Sequence, residues 1–172
     1  PGLIELHTDN LEKHFIPRPN AIWPNKIAAA IANDNEIVSS GITTVFDAIL
    51  VGNYTKIRTS ILDDIITSIT RGKDLGLFKA DHHLHYRCEL SDPELLETLE
   101  KYSDNKYITL ASLMDHTPGQ RQWRNKEKML EFYGKGSNFT SHGAYDFDER
   151  MLRLEETAKE AEKKNRPKVS TI

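Results

Sequence analysis

The chain has 172 residues, 38% of them hydrophobic and 28% charged, with a formal net charge of −3. That is enough for one domain with a sizeable core, and too apolar for a disordered chain. Lysines and arginines are scattered and no apolar run approaches the roughly 18 residues of a membrane span, so no nucleic-acid or membrane partner is expected. Cys88 is the single cysteine, which excludes an internal disulfide framework and points to a reducing compartment.

In chain order, Leu3 to His7 reads as a short strand, followed by the turn-forming runs Pro17-Arg18-Pro19-Asn20 and Trp23-Pro24-Asn25. Lys26 to Ser40 carries Ile27, Ala30, Ile31, Ile37 and Val38 at a period near 3.6 residues, which predicts a helix closed by Gly41 as a left-handed C-cap. Ile42 to Phe46 is a β-branched strand run ending at Asp47. Lys56 to Thr70 reads as a second amphipathic helix, stopping near Gly72, and Ala80 to Leu90 as a strand. Asp92-Pro93 then opens a third helix, with an N-cap and a proline at the first helical position. Tyr107 to Met114 is a further strand and Gln120 to Tyr133 a helix. Gly134, Gly136 and Ser137 mark a loop, and Asp146 to Asn165 a long charged helix. Val169 to Ile172 reads as the start of a fifth strand. The chain opens at Pro1-Gly2 without a methionine and stops in that strand-like run, so the expectation is one domain, 1–172, truncated at both ends.

Strands alternating with helices predict an α/β fold with a parallel sheet and right-handed crossovers. The sheet closes either as an open doubly wound layer or as a β/α barrel. No Gly-rich phosphate loop follows any strand, which weakens the open nucleotide-binding form.

Polar groups collect at the C-terminal ends of the strands, the edge where parallel α/β folds place their sites. They are His7-Thr8-Asp9, Asp47, His85-Tyr86-Arg87-Cys88-Glu89 and Asp115-His116. Residues two apart on a strand share a face, so His7 and Asp9 can converge on one ion. Imidazole nitrogen with carboxylate oxygen suits zinc, manganese or iron. A single such histidine is as readily a hydrogen-bonded core residue, but four polar strand ends in one chain favour a site. On the third strand, His83, His85, Arg87 and Glu89 fall on one face and Leu84, Tyr86 and Cys88 on the other. The first face is expected to line a barrel mouth, with Glu89 at its rim as a metal ligand. Arg87 there offers a fork of donors to phosphate or carboxylate. His82 and His83 point to opposite faces, and at least one of them is expected to be structural. After the fourth strand, Asp115-His116-Thr117-Pro118-Gly119-Gln120-Arg121 brings Gln120 and Arg121 to a helix N-terminus, which favours anions. An ordinary strand-to-helix loop is the plainer reading of that stretch.

Three runs together carry a resemblance: Pro1-Gly2-Leu3-Ile4-Glu5-Leu6-His7-Thr8-Asp9-Asn10-Leu11-Glu12-Lys13-His14 with Pro17-Arg18-Pro19, His85-Tyr86-Arg87-Cys88-Glu89, and Leu113-Met114-Asp115-His116-Thr117-Pro118-Gly119-Gln120-Arg121-Gln122. The chain resembles a diphosphatase group of the amidohydrolase superfamily that serves the carbon–phosphorus lyase pathway of phosphonate breakdown. The resemblance implies an incomplete (β/α)8 barrel of the TIM type, about five of its eight strands being present. It further implies a cytoplasmic enzyme that removes diphosphate from a ribosyl triphosphate. By position, His7, Asp9, Glu89 and His116 would be ligands of a divalent metal, zinc ahead of manganese or iron. Lys13, Arg18, Arg87 and Arg121 would hold the anionic oxygens of a small phosphorylated substrate. No residue is singled out as the catalytic acid or base. Exposed barrel edges would favour a homo-oligomer, and the chain alone is expected to lack a competent site. Two other readings stay open, another amidohydrolase such as a deacetylase or deaminase, and a non-catalytic assembly module.

Overall fold

The computed structural model describes residues 2–18, 21–52, 56–116, 124–125, 128 and 157–168. In chain order these form β1 (Leu3–Thr8), α1 (Asn10–Phe15), α2 (Lys26–Ser39), β2 (Ile42–Val51), α3 (Lys56–Asp74), β3 (Asp81–Glu89), α4 (Leu95–Tyr102) and β4 (Ile108–Met114). The strands make one parallel sheet in the order β1-β2-β3-β4, as the alternation of strands and helices predicts.

The core lies between the sheet and its helices. Ile49 and Val51 of β2, with Leu84, Tyr86 and Cys88 of β3, turn one face of the sheet toward Ala29 and Ala30 of α2. Ile61, Leu62, Ile65, Ile66 and Ile69 recur along α3 at helical spacing and complete that contact, with Leu95 and Leu99 of α4 beside them. Each such side chain, once buried, contributes about 1.5–3 kcal/mol. The opposite face carries His83, His85 and Arg87.

Local chemistry sets the helix ends. The Asn25 side chain accepts a hydrogen bond from the Ala28 amide at 3.0 Å and starts α2. Gly41 follows that helix at φ 81°, the left-handed conformation that glycine adopts without a Cβ penalty.

Several expectations are corrected. Asp9 is followed by a short helix, α1, that the sequence reading did not contain. β2 runs on to Val51, so Asp47 lies inside the strand and not at its end. α3 continues through Asp74, beyond Thr70. α4 begins at Leu95 behind Glu94, because the Asp92 carboxylate accepts from the Glu94 amide at 3.0 Å in a turn before the helix. Residues 157–168 are helical, three positions past the expected end at Asn165; Arg166 donates to Glu162 one turn back, at 3.1 Å, and holds that last turn. Most of the expected helix Gln120 to Tyr133, the loop at Gly134, Gly136 and Ser137, the first part of the helix from Asp146, and the strand from Val169 lie outside the described residues. Four strands are therefore seen among the described residues.

Candidate functional site

β1 and β3 flank β2, so in a flat sheet their backbones would stand about 9–10 Å apart. Side chains nevertheless meet across β2. The His7 and His85 rings lie edge to face with centroids 5.2 Å apart, and Arg87 Nη1 donates to Asp9 Oδ1 at 2.6 Å. The sheet is curled, and these residues occupy its concave side, opposite the helices.

Asp9 owes its place to the end of β1. The strand stops at Thr8, and Asp9 is the N-cap residue of α1 without a side-chain cap bond. Its carboxylate is thereby available to Arg87 and to His7, whose Nε2 stands 3.6 Å from Asp9 Oδ1. Two donors on one tetrahedral ion, each about 2.0–2.2 Å from it, are separated by about 3.4 Å. The His7–Asp9 pair, half-exposed on both sides, meets that spacing to within a few tenths of an ångström and fits the edge of a metal site.

A second pair closes the end of β3. Glu89 is buried at 1% exposure. Its Oε1 accepts from the Ser91 hydroxyl at 2.5 Å, the Ser91 amide at 3.3 Å and the His116 amide at 3.1 Å, while Oε2 pairs with His116 Nδ1. Burial alone would raise the Glu89 carboxyl, but the hydrogen bonds from His116 and Ser91 outweigh it and hold the group below the usual carboxylate range. Between the pairs, His85 Nε2 lies 2.9 Å from Ser112 Oγ, and Arg87 Nε points to Met114 Sδ at 3.2 Å. Burial first, then the neighbouring His7, hold the His85 imidazole below the ordinary histidine range.

The four expected ligands thus stand as two pairs, His7–Asp9 and Glu89–His116. Among the described residues no group of three histidines, cysteines or carboxylates closes around one point. Arg87 is in the cluster, with Asp9 as its partner. Lys13 on α1 and Arg18 just after it are exposed, and among the described residues neither is ion-paired with the cluster. Arg121 lies outside the described residues.

Asp47 belongs elsewhere than expected. Its side chain is fully buried with that of His82 on the helix side of the sheet, where His82 Nδ1 meets Asp47 Oδ2 at 2.6 Å. On the far side of the ring, His82 Nε2 meets Asp34 Oδ1 at 3.2 Å. Burial would push the imidazole down, yet the hydrogen bonds and charges of Asp47 and Asp34 prevail and raise it above the ordinary histidine range. His82 is therefore the structural member of the His82-His83 pair. Asp34 was absent from the sequence reading. Its signal was Asn33-Asp34 set among Ala29, Ala30 and Ile37, a polar pair inside the buried stripe of α2.

The search of protein-family models returns no match, and no solved structure matches the chain. No helix among the described residues is long and apolar enough to cross a membrane. A curated protein does match, and it agrees with the resemblance carried by the three sequence runs. Over 156 residues the chain is 43% identical to the α-D-ribose 1-methylphosphonate 5-triphosphate diphosphatase of Escherichia coli strain K12. By sequence, then, 90% of this chain corresponds to a stretch making up 41% of that diphosphatase, and the chain spans about two fifths of the relative it matches.

Proposed function

We propose that this chain is a segment of a metal-dependent phosphohydrolase that releases diphosphate from α-D-ribose 1-methylphosphonate 5-triphosphate in cytoplasmic phosphonate catabolism. The observation that carries the reading is the 43% identity to the E. coli diphosphatase, extending over 90% of the chain. The His7–Asp9–Arg87 cluster on the concave face supports it, since a barrel of the TIM type places its site at that end of its strands.

In this reading His7, Asp9, Glu89 and His116 are ligands of a divalent ion, zinc before manganese or iron. Held there, such an ion would lower the pKa of a water and offset charge on the attacked phosphate. Ser91 and the His116 amide fix the Glu89 carboxylate, and Arg87 fixes Asp9. Arg87, Lys13, Arg18 and Arg121 are the candidates for holding the anionic oxygens. The 172 residues alone lack a complete site, and the exposed Leu3, Ile4 and Leu6 of the edge strand β1 pack against further strands or a second copy.

The full-length gene product tests this. Offered the ribosyl triphosphate, N-acetyl sugars and amides side by side, it should release diphosphate from the triphosphate alone. Chelation should abolish that release and zinc restore it. Turnover of the amide or N-acetyl substrate in its place, or a full-length protein without stoichiometric metal, would overturn the proposal.

A further inference from the structure

Behind the sheet, a chain of hydrogen bonds runs from the buried His82 to the corner that carries Asp9. Asp47 uses Oδ2 for His82 Nδ1, at 2.6 Å, and Oδ1 for the Asn33 side chain of α2, at 3.3 Å. A carboxylate only accepts, so the Asn33 atom facing Asp47 is Nδ2 and its Oδ1 must face the other way. There it accepts from Asn10 Nδ2 at 3.1 Å. The Asn10 backbone N–H separately donates to Thr8 Oγ1 at 3.2 Å, and Thr8 is paired in register with Asp47. Asp9 is thus bracketed by two residues that both trace back to Asp47.

Asp34, Asp47, His82 and Asn33 are each at 1% exposure or less. Two carboxylates and an imidazole in such a place leave the Asn33 amide a single orientation. Asn10 and Thr8, by contrast, are partly exposed and lie at the edge of the site.

We infer that Asn33 and Asn10 are positioning residues for Asp9: the buried Asp34–His82–Asp47 group sets the Asn33 amide, which holds Asn10 and so the β1–α1 corner on which the Asp9 carboxylate is presented. This role rests on the reading of His7 and Asp9 as metal ligands. Partners bonded directly to a ligand are worth about 10–100-fold in metal affinity, and Asn10, which reaches Asp9 only through the backbone of the corner, is assigned the low end, about 10-fold.

The test is a zinc titration of the full-length protein against a chromophoric chelator, with melting followed by circular dichroism. Asn10→Leu keeps the branched side-chain skeleton, in a bulkier form, and removes the link at its exposed end, and Asn10→Ala is the smaller companion should the leucine disturb folding. Both should fold and bind zinc about 10-fold more weakly than the unaltered protein. Leu99→Ala, a core change on α4 away from this chain of bonds, should lower the melting temperature and leave zinc affinity unchanged. Unaltered zinc affinity in the folded Asn10 variants would overturn the positioning role while leaving the metal reading standing. An unaltered protein that takes up no zinc would overturn the metal reading, and this role with it.

Discussion

Replacing His82 by leucine removes the group that two buried carboxylates share. Asp34 would keep the Lys79 and Ala80 amides at 3.0 and 2.9 Å, whereas Asp47 would keep, among the described residues, only Asn33, at 3.3 Å. The loss therefore falls mainly on Asp47. Removing one member of a buried ion pair costs about 3–5 kcal/mol, and an unsatisfied buried acceptor about 1–3 kcal/mol within that sum. Leucine returns some apolar contact against Phe78, whose ring centroid lies 4.6 Å from that of His82, so a net loss near 3 kcal/mol is expected. Equilibrium urea denaturation at pH 6, followed by circular dichroism, measures it. The pH dependence supplies a second readout with a definite sign. The folded pKa of His82 is raised, so its stabilising contribution is complete below the unfolded value of about 6.5 and is lost as pH rises through the folded value. The gap between parent and variant should accordingly be widest near pH 6 and shrink in the alkaline range. A loss under about 1 kcal/mol, or a gap that does not change with pH, would refute the account of His82 as a charged structural centre.

On the proposed reading, Arg87→Ala in the full-length protein should release Asp9 and lower kcat/KM for the proposed triphosphate substrate by about 100-fold, with Arg87→Lys recovering little because a point charge does not replace the fork; an unchanged value would show that the 2.6 Å contact with Asp9 is dispensable. Gly52 sits at φ 136°, and a Cβ there would lie 2.8 Å from Glu89 Cβ. Gly52→Ala should lose about 1–3 kcal/mol of stability in thermal melts and weaken zinc binding as Glu89 is displaced. Ile65→Ala, at 2% exposure in the contact between α3 and the sheet, should lose about 2–5 kcal/mol in urea denaturation with zinc affinity unaltered.

The periodic elements were legible because their signals are local. The spacing of Ile27, Ala30, Ile31, Ile37 and Val38 marks α2, and Gly41 ends it. The alternation from His83 to Glu89 separates the two faces of β3 without any knowledge of its neighbours. What was not legible depended on partners distant in sequence. Asp47 follows the β-branched run Ile42 to Phe46 and so reads as its end, and a carboxylate within an apolar strand is costly unless it is paired. Its compensation comes from His82, 35 positions away, and from Asn33 on α2. α1 has only six residues, fewer than two turns, too short to impose a hydrophobic period. It is tied in place by tertiary contacts instead, through the buried Leu11 and Phe15. Of the residues in the three sequence runs, His7 stands beside Asp9 and Glu89 beside His116.

Cys88 lies on β3 with its side chain in the core, and burial pushes its thiol up to about 11. It is the only cysteine in the chain. A thiol both sealed and protonated at neutral pH is inert toward alkylating reagents until the strand parts from the helices around it. Its labelling rate in rising denaturant therefore counts openings of the central sheet, one molecule at a time, without any introduced probe. The same scarcity gives a clean background for attaching a reporter at any exposed position, because the native sulfur does not compete for it.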